Sequence, residues 1–177
     1  MKHLGTSSNA ADIAVKSQLP VVYPAATLLA DAPFTNALVA VASVSVPANT
    51  LAAGVRFAFA MSGSVINTTA ASNLLLSLLV NGTVVATATV ALGITAFASP
   101  GRGFKAEGNV TFRAVGASGS VQPDITGAVS GLAGVVSNTA APVVVNTTAA
   151  VTLALQISTS TATSTGTLRQ AYSAPIN

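Results

Sequence analysis

The sequence predicts an all-β fold: an antiparallel, jelly-roll-like β-sandwich over residues 34–177, preceded by an extended N-terminal arm over residues 1–33. Three observations carry that expectation. Apolar and polar residues alternate with period two in one segment after another, as in half-buried strands. Clusters of Gly, Pro, Asn and Ser punctuate these segments every 8–15 residues. No window of eleven or more residues combines a 3.6-residue period with helix caps. Eight or nine short strands of this kind fit two packed sheets.

The arm comes first. Residues 1–33 hold Pro20, Pro24 and Pro33, Ser-rich polar patches and only short apolar runs. Proline fixes φ and removes a donor, so such a segment reads as extended chain. Leu19, Pro20, Val21, Val22 and Tyr23 are too apolar for a solvated tail and are expected to dock on a neighbour.

The first strand is read from Leu38 to Val46 and closed by Pro47-Ala48-Asn49-Thr50. In the next, Val55, Phe57, Phe59 and Met61 alternate with Arg56, Ala58 and Ala60, and Ser62-Gly63-Ser64 is expected to break the run. Leu74 to Ala98 then runs twenty-five residues without a charge. Its centre is Asn81-Gly82, and Asn-Gly between alternating apolar residues signals a two-residue hairpin, because a type I′ turn needs φ > 0 at both central positions. Each arm is too short for the ~20 residues of a spanning helix. A membrane barrel would need aromatic girdles, whereas aromatics are 5% of this chain and Trp is absent. The hairpin has apolar residues on both faces of its first strand, which predicts a core on one side and a further cover on the other.

Downstream, Pro100-Gly101-Arg102-Gly103 is expected to be a loop. Val110, Phe112 and Ala114 alternate with Thr111, Arg113 and Val115 in a central strand. Ser120 to Val129, interrupted by Pro123-Asp124, reads as an edge or bulged strand. Val151, Leu153, Leu155 and Ile157 mark a half-buried strand, the tract Ser158 to Thr165 a solvent-facing loop or strand end, and Thr167 to Ser173 the last strand.

Charge is scarce. Seven Lys/Arg and four Asp/Glu make 6% of the residues, against about a quarter in an ordinary soluble domain. That leaves roughly 700 Å² of folded surface per charge, where ordinary composition gives roughly 180 Å². Thr, Ser and Asn supply part of the missing polarity. Burial of much of this surface against other subunits is the expected remedy, hence a homo-oligomer. The seven cations are scattered and form no basic stripe, which argues against nucleic acid as a partner. The first fifteen residues have a basic start but no apolar core, so no secretory signal is read there.

Catalytic raw material is equally thin. General acid–base work needs titratable groups brought together, and the chain offers one histidine, His3, with the acids Asp12, Asp31, Glu107 and Asp124. Three of these five groups lie on the arm. No zinc ligand set, EF-hand or phosphate-binding glycine loop is present in the sequence, and no enzymatic activity, metal or cofactor is expected. Arg56 and Arg113 sit mid-strand opposite Phe-bearing faces, so both are expected to point outward. Each is a candidate interface charge for an acid or carbonyl of a neighbouring subunit.

Three segments, VPANTLAAGVRFAFAMSG (46–63), VTFRAVGASGSV (110–121) and NTTAAVTLALQIS (146–158), resemble small jelly-roll virion proteins of tailed bacteriophages. These are the head decoration or cement proteins and related fibre domains. The resemblance touches residues 34–173 and rests on short motifs: a Pro-Ala-Asn-Thr-Leu turn, Phe-Arg-x-x-Gly, and Asn-Thr-Thr before a late strand. The chain is richer in Ala and poorer in charge than the pattern. What the resemblance implies is a structural protein on the outer capsid surface of a virion made in the host cytoplasm. It would be a homotrimer in contact with the major capsid protein. The alternative is a fibre or spike domain that recognises a host surface glycan.

Overall fold

Among the residues that the computed structural model describes, 31–68, 71–93, 96–132 and 136–176, eleven strands form and no helix does. The docking residues Leu19 to Tyr23 lie outside the described residues. The strands are β1 (Ala32–Phe34), β2 (Val39–Val46), β3 (Arg56–Asn67), β4 (Asn73–Val80), β5 (Thr83–Ala91), β6 (Phe97–Ala114), β7 (Gly119–Val129), β8 (Val136–Thr139), β9 (Val143–Val145), β10 (Val151–Thr159) and β11 (Thr165–Ile176). One sheet has the order β1-β11-β3-β6-β7, with β8 and β9 both beside β7; the other has the order β2-β10-β4-β5. Every pairing is antiparallel. The all-β expectation therefore holds. Ala32 and Pro33, on the arm side of the expected boundary, are already sheet residues.

The Asn-Gly hairpin forms as expected. Asn81 and Gly82 join β4 to β5 with φ of 51° and 76°, the positive pair that a type I′ turn requires. The turn is also tied to β10: the Asn81 amide N–H donates to Thr152 O at 2.7 Å, and Asn81 Oδ1 accepts from Thr152 N at 2.8 Å. The local signal and the long-range pairing thus specify one register.

Two glycine-bearing clusters that were expected to interrupt strands lie inside them. Ser62-Gly63-Ser64 is the middle of β3. The backbone of β11 comes so close there that a Cβ on Gly63 would stand 2.1 Å from Thr167 O. Pro100-Gly101-Arg102-Gly103 belongs to β6 and forms a bulge, because Arg102 pairs with Val65 while Phe97 pairs with Asn67. Gly101, at φ 77°, supplies the backbone conformation that the bulge needs. Arg102 locks it, with its guanidinium 4.6 Å from the Phe97 ring centre and Nη1 donating to Gly131 O at 2.9 Å.

Pro123 also finds a place that costs no ladder bond. β7 pairs with β9 through Val121 and with β8 from Asp124 onward, so Pro123 falls in the gap between the two short partners. The Gln122 amide bridges that gap by donating to Ala140 O and Pro123 O. The expectation of an edge-like strand is met only on this ragged side, since β6 pairs with β7 along its other side from Ala114 to Phe104.

The core lies between the sheets; the large sheet supplies aliphatics such as Val65, Val110, Ile125 and Leu168 together with the buried phenylalanines. These are Phe34, Phe57, Phe59, Phe104 and Phe112, all at most 3% exposed. Phe34 meets Phe104 edge-on at 5.8 Å, and Phe57 meets Phe112 at 6.1 Å. The four-stranded sheet contributes aliphatics: Leu74, Leu76 and Leu78 from β4, and Leu153, Leu155 and Ile157 from β10, each 0% exposed. Glycines in the large sheet make room for the leucines. Leu76 fills the space over Gly127, and Leu78 that over Gly108. This interdigitation fixes how the hairpin sits on the large sheet.

Candidate interaction surface

Each sheet has one face in the core and one outside, and the two outer faces differ in chemistry. No residue of β2, β4, β5 or β10 is charged. The charges of the large sheet are Arg56 in β3, Arg102, Lys105, Glu107 and Arg113 in β6, Asp124 in β7 and Arg169 in β11; Asp31 precedes β1. The outer face of the four-stranded sheet is made of Ser43 and Ser45, Thr152, Ala154 and Gln156, Leu75, Ser77 and Leu79, and Val84, Thr87 and Thr89. Its apolar part lies at the hairpin end, where Leu79, 7% exposed, pairs with Ala154 and with Val84, 47% exposed. Elsewhere it is mostly hydroxylic.

That chemistry suits burial. Removing a lysine or carboxylate from water costs several kcal/mol unless it is paired, whereas a threonine or serine hydroxyl costs less, about 1–3 kcal/mol if it finds no partner. Strands about 4.8 Å apart, with eight residues of about 3.3 Å each, give roughly 500 Å² of sheet face. Docked on a partner, that is roughly 1,000 Å² in total, the lower bound of a specific interface.

The outer face of the large sheet is different. Arg56 and Arg113 are exposed on it, as their alternation with Phe57 and Phe112 predicts. Arg56 Nε donates to Asn109 Oδ1 at 3.2 Å, so its partner is a neutral amide on the adjacent strand of the same chain. Arg113 is the extra residue of a bulge between Phe112 and Ala114. The two arginines thus lie on the side of the sandwich away from the uncharged face. Lys105 and Glu107 share the outer face with them, together with Ser62, Gln170 and Tyr172, and these five border an open cleft of about 190 Å³. Alternation alone places Tyr172 outward between buried Ala171 and Ser173, but which strands flank β11 depends on topology.

The Ser/Thr tract meets expectation only in part: it is a strand end and turn, and Ser160, Ala162, Thr163 and Thr165 are exposed, but three hydroxyls turn inward. Ser158, Thr159 and Ser164 are at most 2% exposed rather than facing solvent. Thr159 Oγ1 donates to the carbonyls of Thr161 and Ser164, both at 2.8 Å, and closes the β10–β11 turn on itself. Ser164 Oγ donates to Asn67 Oδ1 at 2.9 Å, and Asn73 N donates to Ser160 Oγ at 2.9 Å. The hydroxyls were free to turn inward because the ends of β3 and β4 bring partners to them. Among the described residues, nothing accepts a hydrogen bond from the Nδ2 of Asn67, itself 0% exposed.

Among the described residues no group of three or more His, Asp or Glu side chains gathers as a metal site would, and no helix is long and apolar enough to cross a membrane. Compared with family models, curated proteins and solved structures, the chain matches none.

Proposed function

We propose that the chain is a non-enzymatic structural protein of a virion, a decoration or cement protein on the outer capsid surface of a tailed bacteriophage. The observation that carries this reading is the segregation of charge: among the described residues one sheet of the sandwich holds every charged strand residue, and the other is uncharged on both faces. A protein that spends its working life attached has reason to keep one face free of charge; a freely diffusing monomer has reason to avoid it.

The strand order supports a jelly roll. β1 pairs with β11, β2 with β10, β3 with β6 and β4 with β5, which is the pairing of one long hairpin rolled into two sheets. β7, β8 and β9 are then an insertion between β6 and β10 that widens the charged sheet. The sequence resemblance to phage head proteins points the same way. In this account the uncharged face docks on the major capsid protein, and copies associate as a homotrimer. The arm, with Leu19 to Tyr23, reaches a neighbour, while Arg56 and Arg113 are left to contacts between copies. Adhesion is the whole mechanism: apolar area leaves water at about 25 cal/mol per Å² before the costs of association.

The test is cosedimentation with capsid shells that lack the protein. Wild-type chain is expected to bind in regular stoichiometry. Replacing the exposed Thr87 and Thr152 together by Glu should reduce the bound copies at least tenfold, with the β-sheet circular dichroism unchanged. Thr111→Glu, on the charged sheet, should leave binding intact. Equal binding by all three proteins would remove the uncharged face from the mechanism.

A further inference from the structure

We infer that the cleft on the outer face of the large sheet is a binding site for a saccharide, sized for one neutral hexopyranose unit. The inference rests on the cleft alone and is independent of attachment to a shell.

The register builds the cleft. Tyr172 of β11 lies opposite Ala60 of β3, which lies opposite Glu107 of β6. One row along, Gln170 lies opposite Ser62, and Ser62 opposite Lys105. Small residues on the middle strand therefore form a floor, with four longer side chains at the corners. Two strand spacings separate opposite walls by roughly 9.6 Å at the backbone. The open cleft, about 190 Å³, has room for one six-membered ring and not for a folded peptide.

The corner chemistry selects among small ligands. Tyr172 is 51% exposed, whereas Phe34, Phe57, Phe59, Phe104 and Phe112 are buried and Phe97 carries the Arg102 guanidinium. A tyrosine ring offers an apolar face to the C–H side of a sugar and a hydroxyl at its tip. Glu107 brings acceptors, Lys105 donors, and Gln170 both, so adjacent sugar hydroxyls can be bonded as donor and as acceptor. Ser62 Oγ donates to Gln170 Oε1 at 3.4 Å, a long bond that sets the Gln170 amide beside the floor. Lys105 and Glu107 are two residues apart on one face of the same strand, so an anionic ligand meets a carboxylate wherever it meets the ammonium. A neutral ligand with several hydroxyls fits that balance; a phosphate does not.

The chain contains two tyrosines and no tryptophan, so ligand against Tyr172 changes a large share of the tyrosine emission. The full-length chain is titrated with methyl glucoside, galactoside and mannoside in one arm, and with bacterial surface polysaccharides containing those units in the other. Saturable binding is expected in at least one arm. The first arm reports a free or terminal sugar, and the second alone an internal unit of a chain. Calorimetry on the variants should show affinity lower by at least tenfold for Tyr172→Ala and at least threefold for Glu107→Gln. Both side chains stand on the outer sheet face, and circular dichroism verifies that each variant is folded. Absence of binding in both arms overturns the inference, as does binding that Tyr172→Ala leaves unchanged.

Discussion

Gly127 is where the packing of the two sheets is most exposed to a single methyl group. A Cβ added there would lie 2.3 Å from Leu76 Cδ1 and 3.2 Å from Val90 Cγ2, where ordinary contact begins near 3.4 Å. The first distance involves the end of a leucine, which in the open would swing aside. Leu76 and Val90 are 0% and 2% exposed, so neither has free volume to enter. Overpacking of this kind costs about 1–3 kcal/mol, offset by up to about 1 kcal/mol from restricting the unfolded chain. Gly127→Ala is thus expected to lower stability by about 1.5 kcal/mol, the middle of the roughly 0–3 kcal/mol that these two terms span. Leu76→Ala alone should cost about 2–5 kcal/mol through lost burial and a cavity. In the double variant the new methyl group enters the space that Leu76 vacated, so the losses should fall short of additivity by at least about 1 kcal/mol. Urea midpoints of the four proteins at one fixed concentration measure this, with unchanged slopes showing the same unfolding reaction. Additivity within about 0.5 kcal/mol, or a stabilising Gly127→Ala, would refute the interdigitation of leucine and glycine.

Three further outcomes are expected. Gly82→Ala meets no atom within 4 Å, so its cost is that of a positive φ alone, about 1 kcal/mol by urea titration. Ser164→Ala removes the donor to buried Asn67 Oδ1 and should cost about 1–3 kcal/mol; a neutral result would mean that water replaces the bond. Deleting residues 1–30, which stops short of β1 and its buried Phe34, should weaken particle binding while circular dichroism stays β-rich. Unchanged binding would sink the docking role of Leu19 to Tyr23.

What the sequence made legible was whatever local pattern decides. Period-two alternation located most of the long strands, and Asn81-Gly82 specified its turn because few residues tolerate positive φ in succession. Alternation also placed Phe57, Phe59, Phe112, Leu153 and Leu155 inside, and Arg56 and Arg113 outside. Glycine was ambiguous. Gly63 and Gly101 read as interruptions, but in the sheet one is a point of close backbone approach and the other a bulge, and only the neighbouring strand distinguishes these from a loop. Three hydroxyls of the Ser/Thr tract, those of Ser158, Thr159 and Ser164, escaped the sequence pattern for a related reason. A hydroxyl faces water or a buried partner with equal ease, and Asn67 is 97 residues away in the chain.

The interaction surface was legible only in pieces. The uncharged run of Leu74 to Ala98 was plain, and so was the absence of charge from Val39–Val46 and Val151–Thr159. Nothing local said that these segments form one sheet. That follows from β10 crossing the sandwich to lie between β2 and β4, a consequence of topology. The cleft around Tyr172 has the same origin, since its walls come from strands about 65 residues apart and meet only across β3.

The most direct test of the account is where the protein sits, and which way it faces, in particles made by the genome that encodes it. Cryo-electron microscopy of those particles should place it as trimers on the outer capsid surface, with β2, β10, β4 and β5 against the shell and the Tyr172 cleft turned away. A position at the tail tip, or a shell contact made through the charged sheet, would contradict it.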